Sequence, residues 1–198
     1  MDPISQGDAL QEMPLREGEH ARLFTAARFS GLECLSARFS THTYSPHAHD
    51  TYAVGTILSG CELWHARGRT LFARTGDLVF NHPLDVHDGA PSEGGYRYRM
   101  TYPTIELMRE VAISLTGDET IGTPFFPEPT VQDPEGSALF SEAHRALEEG
   151  GDGLAGEEGL LRAYAWCLSR HADLSIRDVG RERGPIAQAK ELLEQRYD

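Results

Sequence analysis

SPHAHDTYAVGTILSG, residues 45–60, is the stretch on which the reading of this 198-residue chain turns. It sets His47 and His49 two residues apart, ahead of an apolar run over residues 52–58 that reads as a buried strand. Side chains at i and i+2 of a strand share a face, so the spacing brings two imidazoles to one side of a sheet. A third histidine, His87, closes a second strand-like run, GDLVFNHPLDVH, residues 76–87. Three neutral imidazoles from two strands, with a position left open, make a ligand set for Zn2+ or another transition metal. Without a metal, the same groups are polar contacts for an organic effector at the mouth of a barrel. His20, His42, His65, His82, His144 and His171 show no comparable spacing and read as surface or packing histidines.

Working outward, short strand-like runs recur with turn signals between them. Residues 23–29 and 32–39 meet at Ser30-Gly31; residues 61–66 and 70–74 flank Arg67-Gly68-Arg69; Ser59-Gly60 and Thr75-Gly76 read as turns. Residues 88–95, rich in Gly, Pro and Asp, read as a loop. Tyr96, Tyr98, Met100 and Tyr102 then alternate with Arg97, Arg99 and Thr101, the period of a strand with one buried face. Many short strands in series indicate an all-β sandwich or barrel. Two aromatics, Tyr52 and Trp64, are candidates for the inner wall, where a ring offers an effector apolar surface and a polar handle.

After Pro103 the period becomes helical. Thr104 is a candidate N-cap for a helix to about Leu115, closed by Gly117. Asp133-Pro134-Glu135 is a strong second start, with Leu139, Phe140, Ala143 and Leu147 on one face. Residues 149–159 read as a glycine-rich acidic link, and Leu160, Leu161, Tyr164, Ala165 and Leu168 as a third helix ending near His171. Strands first and helices second argue against a parallel α/β sheet.

Composition narrows the function classes. With 31 acidic against 18 basic residues, the formal charge of −13 argues against this piece binding nucleic acid or an anionic membrane by itself. The three cysteines, Cys34, Cys61 and Cys167, are far apart and fit reduced thiols in a cytoplasmic protein. No apolar run approaches the roughly 18 residues of a membrane span, and the polar, acidic N-terminus is neither a secretory signal nor a transit peptide.

The order of motifs, PHAHDTYAVGTILSG, then GDLVFNHPLDVHDGAP, then YRYRMTY, then helices, resembles the N-terminal cupin-type effector domain of AraC-family transcriptional regulators, over residues 20–171 or so. The resemblance implies a mainly β fold, a cupin-like (double-stranded β-helix or jelly-roll) barrel followed by a C-terminal helical layer. It implies a mobile tail over residues 1–19, the barrel over 20–103 and a helical dimerisation layer over 104–174. Residues 175–198, ending PIAQAKELLEQRYD, then resemble a linker and the start of the helix that opens the family's DNA-binding domain, which is absent. The expected protein is a cytoplasmic, non-enzymatic sensor. It would bind a small-molecule effector, with or without a metal, through His47, His49, His87, Tyr52 and Trp64. It would form a homodimer through its helices and touch DNA only through the absent domain.

Metal-dependent cupins add a glutamate five residues after the second histidine; here that position is Val54. Their later histidine lies eleven residues after a glycine, an interval that Gly76 and His87 keep. Three of four expected ligands are thus present, and Asp50 replaces the fourth only if a bulge turns it inward. The alternative in a different class is a stand-alone metal-dependent cupin enzyme, a dioxygenase or isomerase.

Overall fold

The computed structural model describes residues 2–26, 29, 31–150 and 153–174. Its strands are β1 (His20–Ala26), β2 (Leu32–Phe39), β3 (Tyr44–His47), β4 (Ala53–Ala66), β5 (Arg69–Arg74), β6 (Asp77–Asn81), β7 (His87–Thr101) and β8 (Thr130–Gln132), and its helices are α1 (Gln6–Gln11), α2 (Ile105–Thr116), α3 (Pro134–Glu149) and α4 (Gly153–His171). Pairing is antiparallel in the order β1-β2-β7-β4-β6-β8, with β3 on β7 and β5 on β4. This is the mainly β, cupin-like barrel with helices behind it.

Alternation sorts the side chains of the sheet into two cores. Cys34, Val54, Leu78 and Phe80 face the helices and pack with Met108, Phe126, Phe140 and Tyr164. Their neighbours Leu35, Ala53, Val79, Tyr98 and Met100 face the barrel interior. Between Ile57 and Glu62 the β4–β7 ladder shifts register twice. Gly60 has φ +78°, and a Cβ there would lie 2.0 Å from the Gly95 carbonyl oxygen. The shift changes the parity of β4: Ala53 and Ile57 point inward before it, Trp64 and Ala66 after it. What the sequence presents as a turn at Ser59-Gly60 is therefore a bulge within one 14-residue strand. The expected loop at residues 88–95 is likewise strand, the first half of β7.

Thr104 caps α2 by accepting Leu107 N–H, and Asp133 caps α3 by accepting Gly136 N–H. The link expected over residues 149–159 is not one, because α4 begins at Gly153. Its glycines permit close helix packing: a Cβ on Gly156 would lie 3.0 Å from Leu147 N, and one on Gly159 would lie 3.1 Å from Ala143 Cβ. The sheet also extends beyond residues 20–103, since β8, between α2 and α3, pairs with β6. The segment read as a mobile tail carries α1, with Gln6 and Ala9 buried against the barrel. The linker and last helix expected at residues 175–198 lie outside the described residues. No helix among the described residues is long and apolar enough to cross a membrane.

Candidate functional site: three histidines at the barrel mouth

β3 and β7 bring His47 and His87 together as direct cross-strand partners. Pro46 is tolerated in β3 because this strand pairs only with β7. His49 follows β3, and its ring completes the group. The three side chains each offer a nitrogen within 4.8 Å of the others. Ring centroids lie 4.3 Å (His47–His87), 4.8 Å (His47–His49) and 5.2 Å (His49–His87) apart.

Each ring is held by its Nδ1. His47 Nδ1 is 2.7 Å from the Ser45 carbonyl oxygen, His49 Nδ1 is 2.7 Å from that of Ile4, and His87 Nδ1 is 3.0 Å from that of Asp85. A carbonyl only accepts, so Nδ1 of His47 and of His49 carries the proton and their Nε2 atoms present lone pairs; His87 Nδ1 also lies 2.6 Å from the Asn81 side-chain amide nitrogen, so its tautomer is set by Asn81 and Asp85 together. His49 Nε2 is buried without a hydrogen-bond partner. Burial holds two of the rings neutral: it pushes His49 down to about 4, against the Ile4 carbonyl, and His87 down to about 3, with the His47 charge acting the same way. Neutral imidazoles with outer hydrogen bonds that fix the tautomer are what a transition metal takes. The donor set fits Zn2+ or a similar ion, which His47, His49 and His87 would hold through Nε2. When bound, such an ion supplies an open coordination position for an effector or water.

Strand parity decides the remaining candidates. Val54 is fully buried on the helix-facing side, so it is Ala53 that occupies the inward position where an acidic ligand would stand. Asp50 is exposed and outside the cluster. Trp64 lines the same interior cavity as His47 and His87, with its indole N–H buried and unpartnered. Tyr52 does not reach the interior. It lies one residue from Ala53 on the opposite face, among the helix-facing core, with its hydroxyl donating to the Pro124 carbonyl at 2.6 Å. Tyr98, Met100 and Tyr102, read as core, line the cavity.

Sequence reasoning missed Glu62, Asn81, Asp85 and the N-terminal residues. Glu62 is 7% exposed inside the barrel, accepts the Tyr96 hydroxyl at 3.0 Å, and is pushed up to about 7 by burial and secondarily by the Asp88 charge. The signal was present: Glu62 and Trp64 are two apart on one strand. Gln6 walls the cavity from α1 and donates to the Tyr44 hydroxyl at 3.0 Å. With Gln6 in place the cavity measures about 40 Å3, room for an ion with water but not for a sugar-sized molecule. His42, His82 and His144 are buried packing histidines outside the cluster.

A model of the AraC-like ligand binding domain matches residues 29–163. No curated protein matches the chain. Among solved structures, the AraC-like transcriptional activator CuxR is similar with a TM-score of 0.54 and 14% identity over 90% of this chain and 65% of that one. A cupin 2 conserved barrel domain protein from Leptotrichia buccalis is similar at TM-score 0.41 and 14% identity, over 48% of this chain and 45% of that one. An oxalate decarboxylase from Bacillus subtilis is similar at TM-score 0.39 and 17% identity, over 48% of this chain and 28% of that one. The chain therefore spans about two thirds of the activator's length and less than a third of the decarboxylase's.

Proposed function

This chain belongs to the family of AraC-like ligand-binding domains, and from that premise we propose that it is the effector-sensing and dimerisation domain of a cytoplasmic AraC-like transcriptional regulator. Its effector site is the interior next to His47, His49 and His87, and a transition metal held by these residues is part of it. The observation that carries this reading is the double engagement of His49. One nitrogen belongs to the cluster, and the other holds the carbonyl of Ile4, just ahead of α1. A ligand on the cluster therefore acts directly on the arrangement of the N-terminal segment.

Such a ligand shifts the protein only by as much as it binds one arrangement better than the other. An organic effector larger than the closed cavity requires Gln6 to withdraw, whereas an ion does not. The helices behind the barrel would form a homodimer contact, and DNA would be reached through a domain beyond this chain. The same three histidines motivate a second reading, a metal-dependent cupin dioxygenase or isomerase; Ala53 in the acidic ligand's inward position weighs against it.

The deciding measurement is elemental analysis of the purified protein, with thermal melting before and after chelation. About one equivalent of a transition metal, and a melting temperature that falls with chelator, is the expected result. No metal and no chelator effect removes the ion from the proposal and leaves the histidines as polar contacts, to be screened with small metabolites by the same shift. If no ion or metabolite changes stability or association state, the sensing function is wrong.

A further inference from the structure

One segment, Pro124–Pro127, touches both the loop that ends in His87 and the place where α4 ends. On the site side, His82 Nε2 accepts Phe126 N–H at 2.9 Å. Arg67 donates from Nε to the Asp85 carboxylate at 2.7 Å and from Nη1 to the Phe126 carbonyl at 3.0 Å. The Asp85 main-chain carbonyl in turn holds His87 Nδ1. On the side of α4, the Phe125 carbonyl accepts Asp173 N–H at 2.8 Å, two residues past the helix end. Arg67 also lies over the Phe125 ring, 5.0 Å from its centroid.

Arg67 holds this place at a conformational cost. Its φ of 51° is in the left-handed region, which a non-glycine residue adopts only when its surroundings require it. Its guanidinium joins the turn before His87, at Asp85, to the segment before β8, at Phe126, alongside the His82–Phe126 hydrogen bond. A planar fork with several fixed donors makes such a bridge, and an ammonium cannot reproduce it.

We propose that Arg67 is a positioning residue that links His87 to Asp173, just past the end of α4, so that a change in how His87 is held alters the Phe125–Asp173 hydrogen bond. The proposal rests on the reading of His87 as a site residue and adds to it the route by which the site reaches the C-terminal side of the domain.

The test is amide exchange at Asp173, resolved by NMR, in a cycle of His87→Gln and Arg67→Met on the whole 198-residue chain. Met keeps a long side chain and the same backbone strain but removes the donors. His87→Gln is expected to speed Asp173 exchange by about threefold or more in the wild-type background and to have no further effect beside Arg67→Met. Arg67→Lys restores the coupling only in part. Unchanged exchange in His87→Gln overturns the proposal, as does an effect that persists undiminished beside Arg67→Met. If Arg67→Met does not fold, Arg67→Lys takes its place in the cycle; if neither folds, the His87→Gln comparison alone decides. A zinc titration separates this proposal from the metal reading. Zinc that binds without changing Asp173 exchange overturns the link and leaves the site. Failure to bind zinc, with the cycle as expected, overturns the metal and leaves the link.

Discussion

His49 and Ile4, 45 residues apart in sequence, are joined by a 2.7 Å hydrogen bond from the imidazole Nδ1 to the main-chain carbonyl. Ile4 N–H closes a second bond, 2.9 Å to the Ala48 carbonyl, so Ile4 pairs with the site loop at both Ala48 and His49. Ser5 caps α1 immediately after, and Gln6 enters the barrel. The segment is thus a wall of the site, and the tautomer of one site histidine depends on it.

Removing residues 1–12 takes away the Ile4 carbonyl and Gln6 together. Outer partners of metal-bound histidines typically contribute about 10- to 100-fold in affinity, so the truncated protein should bind Zn2+ more weakly by that order. Calorimetric titration of both forms checks this. Reciprocally, Zn2+ should slow proteolysis within residues 1–12 of the intact chain, as linkage requires.

Ala53 faces the cavity that His47 and His87 line, and it is 3% exposed. Ala53→Glu places a carboxylate on that face. Metal affinity should rise at least about 10-fold from the added anionic ligand. The metal-free protein should lose about 1–3 kcal/mol, because the side chain overfills a close-packed interior and buries a charge. Titration and chemical denaturation read the two effects separately, and Val54→Glu, on the helix-facing side, should destabilise without any gain in affinity.

Much of this arrangement is legible in the sequence because it rests on local rules. The caps at Thr104 and Asp133, the alternation from Tyr96 to Tyr102 and the histidine spacing each follow from period or position. Parity across a bulge does not. Nothing local says that Ser59-Gly60 bends a strand instead of ending it, and that one distinction sends Glu62 and Trp64 inward. The same parity argument, applied strictly from Ala53, sends Tyr52 and Val54 to the helices. The glycines at 156 and 159 misled for a similar reason: their use is contact with α3, a partner visible only once both helices are placed. The role of residues 4–6 rests on hydrogen bonds to groups about 30 to 45 residues away, which no window on the sequence contains.

Stability should fall as pH drops from about 6.5 towards 4. Burial lowers His42, His49, His82, His87 and His144 below their ordinary value of 6.5. In that window the unfolded chain takes up these protons and the folded chain does not, so the stability present above 6.5 is lost on the way down to the folded values. Glu62, raised to about 7, acts in the opposite sense in the same window, but one group opposes five. His82→Gln should blunt the acid loss, since His82 Nε2 must stay unprotonated to accept Phe126 N–H. Melting temperature against pH, wild type beside variant, measures both.

Glu19 anchors the chain between α1 and β1 by a different device. One carboxylate oxygen accepts the main-chain N–H groups of Ser40 (2.9 Å), Thr41 (2.6 Å) and His42 (2.8 Å), and the other accepts Arg16 N–H at 2.8 Å. Burial raises the carboxyl, but these four amides outweigh it and hold the group well below the usual carboxylate range. Glu19→Ala leaves three consecutive amides without their acceptor. Hydrogen bonds to charged groups contribute about 1.5–3 kcal/mol each before solvent replaces them, and this site is partly open to water, so the net loss should be about 1–2 kcal/mol. Glu19→Gln, which keeps an oxygen but not the charge, should recover about half of it. The sign with pH follows from the lowered value: the contribution is complete above the unfolded carboxylate range, near 4.3, and declines only as pH falls through the folded value below it. The wild-type minus Glu19→Ala difference in unfolding free energy should therefore be flat from pH 5 to 8 and shrink under stronger acid. A difference that changes between pH 5 and 8 would mean that a second titrating group, His42 beside the Glu19 carboxylate, contributes to the anchor.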